Sequence, residues 1–209
     1  GVLLIGSDRG LCGAYNANIQ RAVEDYLDGL RAEGREFRLY VIGRKAMDHA
    51  KRMKYTVEGY FDTVNLESID FSEAAAVSNA LVSAFRMGQL SELKLAFTSF
   101  VSMVKYDPQV VTFLPIAPAD SDGPASDAIL EPGGPELLGR LVPRYLETRV
   151  YHALLESVTS EYASRRFAMK NATDAAGDMK KDITRLYNRA RQAKITAEIT
   201  EIVSGAEAL

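Results

Sequence analysis

The chain opens GVLLIGSDRGLCGAYNANIQ, residues 1–20. A short apolar run, Val2 to Ile5, meets Gly6, Gly10 and Gly13, and a helix-like stretch follows from Ala14. Strand, glycine turn and helix is the layout that cradles phosphate in nucleotide enzymes. The details do not fit that chemistry. The glycines are spaced G-x-x-x-G-x-x-G rather than G-x-G-x-x-G, the Walker lysine is missing, and Asp8 puts a negative charge where phosphate would sit. The stretch reads as a tight strand-to-helix turn in which glycine permits close packing. Cys12 lies in this turn. A helix N-terminus would activate its thiol, whereas packing would leave it inert, and the packed reading is favoured.

Outward from this turn, residues 1–116 alternate between strand and helix signals. VLLI (2–5) is a buried strand, and an amphipathic helix over 14–33 is stopped by Gly34. FRLYVIG (37–43) is a second strand, Arg44 to Met53 a second helix, and Thr56 to Phe61 a short strand. A third helix over 71–86 ends near Gly88, and strands follow at 93–101 and 110–116. This alternation implies an α/β fold, a mostly parallel sheet flanked by helices. The last two strands are joined too tightly for a helical crossover, so they pair antiparallel. All seven prolines fall between Pro108 and Pro143, and APADSDGPASDAILEPGG (117–134) reads as a connection. The expected organisation is an α/β domain over 1–116, a Pro/Gly-rich connection over 117–135 and a long helix over 136–209.

Bulk composition bounds the function. The 209 residues carry a formal net charge of −3, which does not suggest a nucleic-acid partner. No apolar run approaches the roughly 20 residues of a membrane span. Cys12 is the single cysteine, so no internal disulfide forms. His49 and His152 are far apart with no cysteine neighbours, which argues against zinc. No signal or transit segment is visible. The absent initiating Met and the start one residue before a strand read as a truncated or processed N-terminus.

From Arg144 to Ser204 there is no proline and a single glycine, Gly177. Roughly 60 helical residues run about 90 Å at ~1.5 Å each, too long to lie back on a domain of this size. Met169, Ala172, Ala176, Met179, Ile183, Leu186, Ala190, Ala193 and Ala197 follow strict 4-3 spacing, a coiled-coil seam over four heptads. Five of these nine residues are alanine, so the partner helix packs close. The rest of the chain holds no second helix of that length, and the partner comes from another chain or from an N-terminal segment. Residues 165–194 carry nine Lys/Arg against three Asp, either a solvated face or a surface for docking on acidic partners. Ile195, Ile199, Ile202 and Val203 make the tail apolar, which suits a sleeve formed by something else. Asn171-Ala172-Thr173 falls within the helix and reads as a chance sequon.

GSDRGLCGAYN near the start and MKNATDAAGDMKKDITRLYNRARQAKITAEITEIVSGAEAL at the end resemble the gamma subunit of the F-type rotary ATP synthase. The resemblance covers the whole chain in order and is strongest in the last 55 residues. It implies a Rossmann-like foot domain and a central stalk made of an antiparallel coiled coil of two long helices, one from each end of the chain. The N-terminal helix is the part of that pattern this sequence lacks, and the alanine-rich seam asks for such a partner. The implied function is a rotor shaft. It transmits torque between an ion-driven membrane c-ring and three catalytic beta subunits within an alpha–beta ring, and its foot touches the epsilon subunit. The shaft would be non-catalytic and free of cofactor, metal and nucleic acid. It would lie peripherally on the cytoplasmic face of a bacterial membrane, or on the matrix face of a mitochondrial one, without inserting. Position by position, the resemblance marks Arg191, Gln192 and Thr196 as beta-subunit contacts and links Arg165, Glu198, Thr200 and Glu201 with energy coupling. The regulatory cysteine pair of the plant plastid branch is absent, so redox gating of that kind is not expected. Without the resemblance, the residues also admit a Rossmann-type nucleotide-binding protein with a helical oligomerisation arm, or a regulatory coiled-coil adaptor.

Overall fold

A computed structural model describes residues 1–117 and 133–207. The 117–135 connection therefore lies mostly outside the described residues. The element order is β1 (Val2–Ile5), α1 (Tyr15–Ala32), β2 (Leu39–Ile42), α2 (Arg44–Arg52), β3 (Val57–Tyr60), α3 (Phe71–Arg86), β4 (Leu93–Ser102), β5 (Lys105–Leu114) and α4 (Gly134–Glu207). The strands form one sheet in the order β3-β2-β1-β4-β5. The first four run parallel, with Val2 opposite Leu39 and Lys94, and β5 closes the sheet antiparallel to β4. The expected α/β class and the antiparallel last pair are both present.

One expectation needs correction. β5 begins at Lys105, not Val110, and forms a tight hairpin with β4. Pro108 hid that extension, because a proline usually argues against a strand, yet it is tolerated on a sheet edge. The last helix, expected over 136–209, runs over Gly134–Glu207 and carries Pro143 inside it. A proline there loses its bond to the carbonyl four residues back and crowds that carbonyl, and α4 continues through it.

The chain forms two compact units, Gly1–Phe167 and Ala168–Leu209. The first holds the sheet and the early part of α4. Alternation along the strands sorts side chains to two faces. Val2, Leu4, Leu39 and Val41 pack with Ile19, Val23 and Leu27 of α1 and Ala46 and Ala50 of α2. Leu3, Ile5, Ile42 and Leu95 pack with Val77 and Leu81 of α3 and Leu146, Val150 and Leu154 of α4. Because β1 is buried on both faces, it reads as an unbroken apolar run.

Helix ends follow local chemistry. Asp70 and Glu73 form a capping box at the start of α3. Helix α1 ends at Gly34 (φ 69°), whose N–H donates to the Arg31 carbonyl while the Arg35 N–H donates to that of Leu30. That pairing satisfies carbonyls the helix would otherwise leave open. Across α1 and α2, His49 Nε2 lies 3.0 Å from Glu24 Oε1.

Burial is the main cause holding the His49 pKa below its ordinary 6.5; Glu24 opposes it and Arg52 adds to it. The folded state therefore binds this proton more weakly than the unfolded chain. The stability His49 permits is intact above about 6.5 and is lost as pH falls through that value toward the lower folded-state pKa. The denaturant midpoint of the chain should fall between about pH 7.5 and about pH 5.5, and His49→Gln should flatten that part of the profile. An unchanged slope in the variant would remove His49 as its cause.

Candidate functional site: the turn–helix junction and the exposed seam

In an open parallel sheet the natural ligand crevice lies at the carboxyl ends of the strands where chain order reverses. Here that point falls between β1 and β4. The Lys94 N–H donates to the Gly1 carbonyl, so alternate residues of β4 turn their backbone groups toward β1. β1 ends at Ile5, opposite the stretch just past Ala96, while β4 runs on to Ser102. The β1-facing backbone groups beyond that point need other partners, because a buried unpaired amide is costly.

Helix α4 supplies them. The Thr98 N–H donates to Ser157 Oγ at 3.3 Å, and Ser160 Oγ donates to the Thr98 carbonyl at 3.2 Å. Glu156 Oε2 accepts from the Phe100 N–H and from Ser99 Oγ, both at 2.7 Å. Further along, Ser164 Oγ donates to the Cys12 carbonyl at 2.6 Å and Arg165 Nη2 to the Gly10 carbonyl at 3.3 Å. Arg165 also pairs with Glu161 one helical turn earlier. Ser157, Ser160 and Ser164 are buried and share one helix face at i, i+3, i+7 spacing. They extend the stripe that carries Leu146, Val150 and Ala153, so the inward face of α4 changes from apolar to polar where it reaches the crevice. Burial raises the Glu161 carboxyl above its ordinary pKa, with Arg165 pulling against it. Burial likewise pushes the Tyr15 phenol up, beside the Ser157 and Thr98 hydroxyls.

The opening turn is built for this packing. Ser7 Oγ donates to the Arg9 carbonyl and accepts from Asn16 Nδ2, whose Oδ1 in turn accepts from the Ser7 N–H. Asn16 Nδ2 also lies 3.2 Å from Cys12 Sγ, and the thiol is buried, as the packed reading expected. Asp8 Oδ1 accepts from the Arg44 N–H at 2.9 Å, so a carboxylate occupies the start of α2, where the helix dipole favours an anion. Gly43, at φ 91°, lets the two turns meet; a Cβ there would stand 2.7 Å from the Gly6 carbonyl oxygen. The cleft left beside the turn, lined by Asp8, Arg9, Glu67, Glu161 and Arg165 among others, measures about 120 Å³. Small-molecule sites usually measure about 300–1,000 Å³.

The second unit is helical from Ala168 to Glu207, and every seam residue from Met169 to Ala197 is exposed. Met179, Ile183 and Leu186 are each more than half exposed. The three aspartates of the basic run each pair within the helix, Lys170–Asp174, Lys181–Asp178 and Arg185–Asp182. Arg191 and Gln192 have no side-chain partner among the described residues. Glu198 lies 3.8 Å from Lys194, and Thr200 Oγ1 donates to the Thr196 carbonyl. Arg165 belongs to the first unit and sits on the turn; the other residues the resemblance marks, 191–201, belong to the second. Sequence reading missed Glu156, Ser157, Ser160, Ser164 and Asn16. The serines' helical spacing was a signal, but serine on a helix is ordinarily a surface residue.

Fold and junction define a Rossmann-like domain whose switch-point crevice is filled by its own helix, followed by a helix whose residues of 4-3 spacing are exposed. The family profile described as ATP synthase matches residues 1–209. The gamma chain of Acidiphilium cryptum is 41% identical over 216 residues, with 100% of this chain and 73% of that one covered. The gamma chain of Mycobacterium marinum is 42% identical over 224 residues at the same coverage. The chain belongs to the ATP synthase gamma chain family. Among solved structures, a chain from the central stalk and c-ring of the Tetrahymena thermophila mitochondrial ATP synthase matches with a TM-score of 0.62 at 26% identity, covering 83% of this chain and 76% of that one. A chain from the Euglena gracilis mitochondrial enzyme matches in fold, with a TM-score of 0.70 at 19% identity and coverage of 99% and 71%.

Two outcomes follow from this geometry. Asn16→Ala removes the acceptor of the Ser7 N–H and the donor to Ser7 Oγ, and should destabilise the chain by about 1–3 kcal/mol in denaturant unfolding. Exposed helix without tertiary packing is protected only by its own cooperativity. Hydrogen exchange in the chain as it stands should be fast over 168–207 and slow in β1 and β2. Slow exchange along the whole of α4 in a monomer would contradict that picture.

Proposed function

We propose that this chain is the central rotor shaft of an F-type ATP synthase. It carries torque between an ion-driven c-ring and three catalytic beta subunits, and so couples ion translocation to ATP synthesis or hydrolysis. The observation that carries this reading is the exposed, strictly spaced seam Met169–Ala197 in a chain of the gamma family. An alanine-rich seam needs a close-packed partner helix, and an N-terminal helix of the same subunit meets that need. The Rossmann-like unit serves as the foot, touching the epsilon subunit and the c-ring. The protein is peripheral to the membrane; among the described residues no helix is long and apolar enough to cross one. ATP chemistry belongs to the surrounding ring, and this subunit holds no cofactor.

The polar residues of the distal helix do the coupling in this reading. Gln192 and Thr196 are one turn apart on one face, while Arg191 points about 100° away and reaches a different neighbour. Gln192 and Thr196 bond a beta-subunit loop, and Arg191 bonds a neighbouring acidic or carbonyl group. Glu198, Thr200 and Glu201 extend the set toward the end of the helix, and Arg165 contributes from the foot. Contacts made in one rotary position and lost in another tie shaft angle to site affinity.

Reconstitution of the complex with the full-length subunit tests this. A charge-assisted bond is worth roughly 1.5–3 kcal/mol, so Arg191→Ala should slow ATP-driven rotation about tenfold or more while the complex still assembles. Wild-type turnover and pumping in both Arg191→Ala and the Gln192→Ala/Thr196→Ala double variant would remove these residues from coupling. Failure of the wild-type subunit to restore ATP-driven pumping would sink the shaft reading itself.

A further inference from the structure

We infer that Glu156, Ser157, Ser160 and Ser164 are positioning residues that lock α4 to the foot in one axial and rotational register, making the crevice the joint through which torque passes. This rests on the shaft reading. The reason lies in the kind of contact on each part of the α4 face. Leu146, Val150, Ala153 and Leu154 hold the helix by apolar packing, which is non-directional. Rolling or sliding a helix seated only on such a stripe loses apolar burial but breaks no directional bond.

The next two turns are different. Ser157, Ser160 and Glu156 bond backbone groups of β4, and Ser164 bonds the backbone of the opening turn, at 2.6–3.3 Å. Those backbone groups are anchored in the sheet and in the Ser7–Asn16 network. Hydrogen bonds weaken steeply with distance and angle. A slide of one residue is about 1.5 Å and a step of one position about 100°, and either would break every bond of the set. The Thr98, Ser157, Ser160, Ser164 and Cys12 groups released would be buried, with no water to replace the partner, while the Glu156 bonds lie in a partly buried position. The set therefore opposes rolling and sliding, the two motions by which a driven shaft would slip in its mount.

The reconstituted complex with full-length subunit tests this with Ser157→Ala/Ser160→Ala/Ser164→Ala and, separately, Glu156→Ala. Read out per assembled complex, unloaded ATP hydrolysis should stay near wild type while protons pumped per ATP fall at least about fivefold. The loss should deepen as the opposing proton gradient rises. A residue that only stabilises the fold would lower the yield of complex and leave that ratio unchanged at every load, and this result would overturn the inference. If the triple variant does not assemble, Ser160→Ala and Ser160→Cys are compared singly. Cysteine keeps the size and a weak donor, so it should retain more of the pumping ratio than alanine; equal, wild-type ratios would again overturn the inference. A wild-type subunit that restores no pumping would instead refute the shaft reading beneath it.

Discussion

A strand that outlasts its neighbour sets the terms for the first unit. β4 has ten residues and β1 four, so the β1-facing edge of β4 loses its partner at Ile5 and the groups of Thr98 and Phe100 are left open. In many α/β proteins such an opening is where a ligand enters. Here it is closed by the protein's own C-terminal helix, which brings hydroxyls and a carboxylate to the open amides and carbonyl. The same face of α4 is apolar where it crosses the sheet and polar where it crosses the opening. Each half matches what lies beneath it.

The opening turn directs its polar groups to the protein's own chain. Its layout of strand, glycines and helix resembles a nucleotide loop, but Asp8 sits at the N-terminus of α2, where an anion would be most favoured. Ser7 and Asn16 are spent on each other, and the Cys12 and Gly10 carbonyls are spent on α4. The turn grips a helix with the backbone that a nucleotide loop would offer to phosphate.

The second unit is an exposed helix. Its helix has good intrinsic formers and internal ion pairs, yet exposed pairs of this type contribute only about 0.3–0.5 kcal/mol each. Most helical stability in proteins comes from packing one face, and the Met169–Ala197 face has nothing to pack on within its own unit. Under the shaft reading, the alanines of this face suit a close-packed helix of similar length.

Local pattern determined a good deal of this protein. The apolar runs of β1 and β2, the Gly34 stop, the Asp70–Glu73 cap and the 4-3 spacing of the seam all act through neighbours in sequence, so they can be read without a structure. The GSDRGLCGAYN turn and the last 55 residues were enough to point to the family. Pro108 misled, because its cost depends on whether the missing N–H was needed, and that is a matter of edge position. The junction was beyond local reading altogether. Ser157, Ser160 and Ser164 look like surface residues until β4 is seen to run past β1, and Arg165 looks like part of a basic run until the Gly10 carbonyl is placed beside it. Partners more than 50 residues apart for Ser160 and more than 150 for Ser164 are brought together only by the folded sheet. A hydrogen bond's worth rests on the burial and alignment of both groups, and tertiary structure alone decides those.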